Sequence, residues 1–148
     1  MRERTIASHF ARAALGGARR HGYDYCAVLQ KLGISPELLD EPRARIAPEQ
    51  FTQLIQALWL ALDDEYLGFG QAPSRPGSFA MMCHAVIHCR SLDKALNRGL
   101  LFYSLFPGTP RLTLSREDEW VRLGLDDSQL WDPDHFLSES LLVIWHRF

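Results

Sequence analysis

The spacing of apolar residues switches from helical to strand-like at Pro110, and that change constrains the fold more than any other feature. Upstream, apolar positions recur about every 3.6 residues, the repeat of one helix face; downstream, "RLTLSREDEWVRLGLDD" (111–127) alternates with a period of about 2, the repeat of a strand. Leu112 and Leu114 share one face, and Val121, Leu123 and Leu125 share one face. The polar "SREDE" between them predicts a hairpin whose loop is longer than the tightest two-residue type. The expected fold is therefore α+β and mainly helical, with a small antiparallel sheet (hairpin at about 111–126) packed on helices and no large parallel sheet.

The helices can be placed in turn. Ile6, Phe10, Ala13 and Ala14 follow helical spacing until Gly16 and Gly17 weaken the pattern. "YDYCAVLQKLG" predicts a short helix closed by Gly33, and "SPELLD" another, capped by Ser35 with Pro36 in its first position. From Pro48 to Leu62 the pattern is clearest: Phe51, Leu54, Ile55, Leu58 and Leu62 form a stripe opposite Gln50, Gln53 and Gln56. "QAPSRPGS" (71–78) predicts a loop ending in an N-cap at Ser78, and Ser91, followed by Asp93, opens the next helix. The second half of that helix, "GLLFYSLF", is apolar almost all round, which suits a central helix or one whose second face meets a partner. Asp132 and Pro133 open a last helix with Phe136, Leu137, Leu141, Ile144, Trp145 and Phe148 as its stripe. This pattern reaches the final residue without a Gly, Pro or polar cap, so the expectation is a single domain, 1–148, cut from something longer.

Length and charge narrow the function. A chain of 148 residues can enclose a real core as one domain. A net charge of −2 gives no electrostatic footprint for nucleic acid, and the basic pieces "ARRHG" (18–22) and "RARI" (43–46) are short. Three cysteines at irregular spacing do not make a disulfide framework. The charged N-terminus is not a secretory signal, and no run approaches the ~18 to 20 apolar residues that cross a bilayer. The expected location is the cytoplasm.

"FAMMCHAVIHCRS" (79–91) raises a metal question, because Cys83, His84, His88 and Cys89 fall close together. On one continuous helix, at roughly 100° per residue, His84 and His88 lie about 100° and 140° from Cys83 and can share a face; Cys89, at about 240°, cannot join them. Four ligands therefore do not converge, and Ala85 stands where the H-E-x-x-H pattern needs glutamate. The expectation is no metal and no cofactor: Met82, Cys83, Val86 and Ile87 belong to or near the core, and the histidines line a cavity or the surface. "LGFGQA" and "ALGGAR" lack the dinucleotide-loop spacing, no G-x-S-x-G elbow occurs, and the acid pairs Asp63/Asp64 and Asp126/Asp127 sit at element ends as solvated turn residues. No enzyme is expected.

Four segments taken together carry a family likeness: "LGISPELLDEPRARIAPEQFTQLIQAL", "DDEYLGFGQA", "RPGSFAMMCHAVIHCRSLDKALNRGLLFYSLF" and "PRLTLSREDEWVRLGLDD". In order and spacing they resemble the N-terminal regulatory region of one branch of AraC-type (AraC/XylS) transcription regulators, the branch often labelled arabinose-binding-like. The likeness runs from about Asp24 to the end. It implies an effector-sensing and dimerising module that takes a small metabolite and controls a C-terminal pair of helix-turn-helix motifs, for which this chain has no room. DNA would then be a partner only through that absent region.

A small-molecule site needs a concave, mostly apolar wall with a few convergent polar groups. The expected wall lies between the helix at 79–89, the helix at 92–106 and the hairpin, with His84, His88, Tyr103, Trp120 and Arg122 as candidates for ligand contact. Each also has a purely structural reading: Tyr103 and Trp120 as core or rim aromatics, Arg122 as an exposed strand residue. A haem or gas sensor is the rival function, because His84 or His88 could serve as an axial ligand in an apolar pocket. "GLLFYSLF" is apolar nearly all round and the closing helix carries Leu142 and Val143 outside its main stripe, which leads to the expectation of a homodimer through the final helix or the 99–106 region, with Leu101, Leu105 and Val143 as the positions that test it.

Overall fold

A computed structural model describes residues 4–147. Among them, in chain order, are β1 (Ile6–Ala7), α1 (Ser8–Arg20), α2 (Cys26–Lys31), α3 (Pro36–Asp40), β2 (Arg45–Ile46), α4 (Pro48–Leu62), α5 (Ser78–Val86), α6 (Leu92–Ser104), β3 (Arg111–Glu117), β4 (Trp120–Asp126) and α7 (Phe136–Arg147). Each strand pair is antiparallel, β1 with β2 and β3 with β4. The α+β, mainly helical expectation is met.

The core is built around α1. Ala11, Ala14, Leu15 and Ala18 are fully buried, and the three alanines let α3, α4 and α7 pack closely around one helix. The helix does not stop at Gly16 and Gly17. A Cβ added at Gly17 would stand 1.8 Å from the Leu67 carbonyl oxygen, so the absent side chain is what admits the 64–70 loop against α1. That contact outweighs the ~1 kcal/mol that glycine costs inside a helix. Ser35 caps α3 by accepting from the Leu38 N–H (3.2 Å), with Pro36 in the first turn as expected.

Helix α4 keeps the bounds that its sequence suggested. Gln50 works at both of its ends: Oε1 accepts from the Ala47 N–H (3.0 Å), and Nε2 donates to the Leu32 carbonyl (3.0 Å), tying the start of α4 to the end of α2. Leu54 and Leu58 are fully buried, flanked by half-buried Phe51, Ile55 and Leu62. At ~1.5–3 kcal/mol for each fully buried leucine, this stripe is a main stabiliser of the first half. Asp64, expected to be a solvated turn residue, is instead buried. Its Oδ1 accepts from the Tyr66 and Ser74 N–H groups (2.8 and 2.7 Å), and its Oδ2 from that of Gly68 (2.8 Å). Three backbone donors replace the water it gives up.

Two boundaries in the second half differ from expectation. The N-cap of α5 is Gly77, at φ +101°, rather than Ser78. Glu65 serves as the remote cap, accepting from the N–H groups of Gly77 (2.7 Å) and Phe79 (3.0 Å). The helix then ends at Val86, so His88 and Cys89 lie beyond it. The hairpin is also tighter than expected: Ser115, Arg116 and Glu117 pair with Arg122, Val121 and Trp120, leaving only Asp118 and Glu119 as the loop. Asp118 adopts φ +51°, the left-handed conformation that lets so short a loop match the twist of its strands.

Ser91 caps α6 (Lys94 N–H to Oγ, 3.3 Å), as its sequence suggested. Helix α7 begins at Phe136, later than Asp132–Pro133 implied; Asp132 is buried and its Oδ2 accepts from the Ser138 N–H and hydroxyl (2.8 Å each). Phe69 stacks with Trp131 and packs on Phe136 (centroids 6.2 and 6.1 Å), which ties the first half to the last helix. Phe148, placed in the closing stripe by its spacing, lies outside the described residues.

Candidate ligand-binding cleft

The geometry that makes a site begins at the end of α6. "PGTP" cannot extend a helix, and Gly108 at φ +71° turns the chain so that β3 runs back beside the helix it has just left. Between them opens a cleft of about 540 Å³, within the size range of small-molecule sites. Leu100, Leu101 and Phe106 form one wall, and Pro110 and Leu112 the other. Tyr103, Ser104, Thr109 and Arg111 supply its polar groups.

These polar groups are not equally available. The Ser104 hydroxyl donates to the Leu101 carbonyl (2.7 Å). Thr109 hydrogen-bonds the phenol of Tyr66, whose pKa burial pushes up to about 12. Burial also pushes the Tyr103 phenol upward, so it stays protonated and able to donate. Arg111 is the one charged residue in the lining, and it is exposed. A second groove, about 430 Å³, lies under the inner face of the hairpin. It is formed by Leu92 and Leu96 of α6, Leu114, Val121 and Leu123 of the strands, and Leu142, Trp145 and His146 of α7.

Of the five residues singled out from sequence, only Tyr103 lines the α6–β3 cleft. His84 and His88 are exposed and line neither space. The register places Trp120 and Arg122 on the hairpin face opposite Leu112, Leu114, Leu123 and Leu125. Trp120 is 78% exposed there, and Arg122 donates to Glu117 (2.9 Å). The wall expected from α5 is not part of the cleft, because α5 packs on α6 away from the hairpin. Ile87, expected near the core, is 69% exposed, since the helix has ended before it.

That early end also changes the cysteine geometry. Cys83 and Cys89, which an unbroken helix would hold apart, line one open depression with Val86, Ile87, Ser91, Leu92 and Ala95. Among the described residues, no group of three or more His, Cys, Asp or Glu side chains is arranged to hold a metal ion.

Sequence reasoning missed Arg111, Ser104 and Thr109. One signal was present: Arg111 opens the alternating segment directly after the helix-breaking turn, where a strand's first residue stands beside the helix end.

A mainly helical domain with an open, half-apolar cleft, whose lining includes no acid, histidine or cysteine, has the form of a ligand-binding module. Residues 22–148 match the family described as the N-terminal arabinose-binding domain of AraC transcription regulators, and the chain belongs to that family. It is a regulatory, ligand-binding family rather than one of enzymes. No curated protein and no solved structure matches the chain significantly.

Proposed function

We propose that the chain is the effector-sensing and dimerising module of an AraC-type regulator, which binds a small metabolite in the α6–β3 cleft and controls transcription through a DNA-binding region carried on the same polypeptide. The family match across residues 22–148 is the observation that carries this reading. The cleft adds a place for the effector: α6 packs on α5 and β3, so an occupant beside Tyr103 touches two of the elements that would report its presence. The chain behaves as one domain, works in the cytoplasm and has no DNA affinity of its own, in keeping with its net charge of −2. No helix among the described residues is long and apolar enough to cross a membrane. Pairing of two copies covers Leu101, Leu105 and Val143, which are 63%, 72% and 58% exposed.

Thermal-shift screening of metabolites against the purified protein tests this function. A ligand present at about 100 times its Kd adds about 2.7 kcal/mol of stability. The expected result is a dose-dependent rise in Tm that Ser104→Trp, a bulky residue on the rim of the cleft, abolishes. Salt-sensitive DNA binding by the chain alone, or a rise in Tm indifferent to Ser104→Trp, would count against the reading.

A further inference from the structure

We infer that the groove beneath the hairpin is a second small-molecule site, one that takes an uncharged, largely hydrocarbon ligand. It shares no lining residue with the α6–β3 cleft, so it stands whether or not that cleft holds the effector.

Three elements close round the groove. Leu114 and Leu123 are direct cross-strand partners, and the register puts Val121 on the same face of the hairpin. That face covers Leu92 and Leu96 of α6 and Leu142 and Trp145 of α7. The indole of Trp145 is the fixed point. A Cβ at Gly99 would stand 2.7 Å from it, and the Tyr103 ring meets it edge-on, with 6.1 Å between centroids. Buried and packed in this way, the indole does not swing over to fill the neighbouring space. The groove therefore keeps about 430 Å³, within the size range of small-molecule sites.

Apart from the exposed His146, every lining side chain is aliphatic or aromatic. Arg116, the cross-strand partner of Val121, is exposed and outside the lining. A charge carried into this groove would give up its water and meet no opposite charge, and the hydroxyls of a sugar would press against carbon. A hydrocarbon body gives up nothing polar. It also covers Leu92 and Val121, which are 63% and 59% exposed, with a gain proportional to the apolar area taken from water. Size argues against a second copy of the chain as the occupant. A stable interface recruits about 20–30 residues from each partner, whereas this groove offers eight, and Leu101, Leu105 and Val143 lie outside it.

Titration with N-phenyl-1-naphthylamine, a neutral apolar dye whose emission rises when it leaves water, tests the site. Saturable binding of one dye per chain is expected, with no displacement by L-arabinose. Leu92→Asp sets a carboxylate in the wall, and Val121→Trp fills the groove with bulk. Each should weaken the dye by at least about tenfold with unchanged far-UV circular dichroism. Because one acts by charge and the other by volume, a folding failure in either leaves the other as the test. Leu60→Asp, at an apolar position on α4 that is 78% exposed, should change nothing. Non-saturable uptake, or binding indifferent to both groove variants, would overturn the site. Displacement by arabinose would overturn the ligand class. Loss of the dye in Ser104→Trp rather than in the groove variants would move it to the α6–β3 cleft. Light scattering in which both groove variants turn a dimer into a monomer would make the groove the seat of a second copy instead.

Discussion

The two halves of this molecule treat apolar surface in opposite ways. From α1 to Phe69, the chain buries Leu15, Leu29, Ile34, Leu54, Leu58 and Phe69 almost completely, and among the described residues it leaves only Phe10, Trp59 and Leu60 as exposed large hydrophobics. From α5 onward, Met82, Val86 and Trp145 are buried, but Met81, Ile87, Leu92, Leu101, Leu105, Val121 and Val143 remain exposed. Composition does not separate the halves; cover does. In the first half, α1 is surrounded by other helices. In the second, α6 is covered by α5 and the hairpin and α7 by α1 and the hairpin, which leaves Leu101, Leu105 and Val143 outside every contact face. Contiguous exposed apolar surface marks a place where something else docks, so the first half reads as the scaffold and the second as the part that receives ligand and partner.

The largest effects should fall on the scaffold. Leu58→Ala removes a fully buried side chain at the centre of α4, and a loss of about 2–5 kcal/mol is expected by urea denaturation. Gly17→Ala should be comparably damaging, since its Cβ collides with backbone rather than with a side chain that can turn aside. A loss near zero for either would break the contrast between scaffold and receiving half.

Gly99→Ala sharpens it from the other side. Its Cβ would stand 2.7 Å from the ring of Trp145 and 3.2 Å from the Met82 sulfur, so α6 and α7 are in close contact even where their outer faces are bare. About 1–3 kcal/mol of destabilisation is expected.

The junction of the halves should show in the alkaline range. Tyr66 and Tyr103 are both pushed above the usual phenol value by burial, Tyr66 to about 12. A folded-state pKa above the unfolded one means that this stability is complete below about pH 10, where both states are protonated, and is lost as pH rises towards 12. Urea midpoints measured between pH 9 and 11.5 should fall, and the fall should be shallower in the Tyr66→Phe, Tyr103→Phe double variant.

The smallest effect on folding belongs to the bare face. Charged substitutions such as Leu101→Glu, Leu105→Glu and Val143→Glu should each change the stability of the dissociated chain by no more than about 0.5 kcal/mol, because within one chain these side chains are exposed. Light scattering should nevertheless show them shifting the protein from dimer to monomer. A strict monomer at high concentration before substitution would refute the dimer, and a dimer indifferent to all three changes would refute its location.

What the sequence determined by itself is what depends on neighbours along the chain. The bounds of α4, the caps at Ser35 and Ser91, and the pairing of Leu112–Leu114 with Leu123–Leu125 on one face of a hairpin all follow from period, capping chemistry and alternation. Tyr103 was singled out as an aromatic with a polar tip, equally readable as a core residue, and it is buried while also bordering the cleft. Tertiary structure decided the rest. Periodicity marks a stripe on a helix but not what covers it, so Ile87 looked like core and is exposed, while Asp64 looked like a turn residue and is buried beneath three backbone N–H groups. Alternation likewise divides a strand into two faces without saying which one meets the helices. Trp120 and Arg122 fell on the outer face, and the cleft is bordered instead by the start of β3, because only the turn at Gly108 sets where that strand end stands against the end of α6.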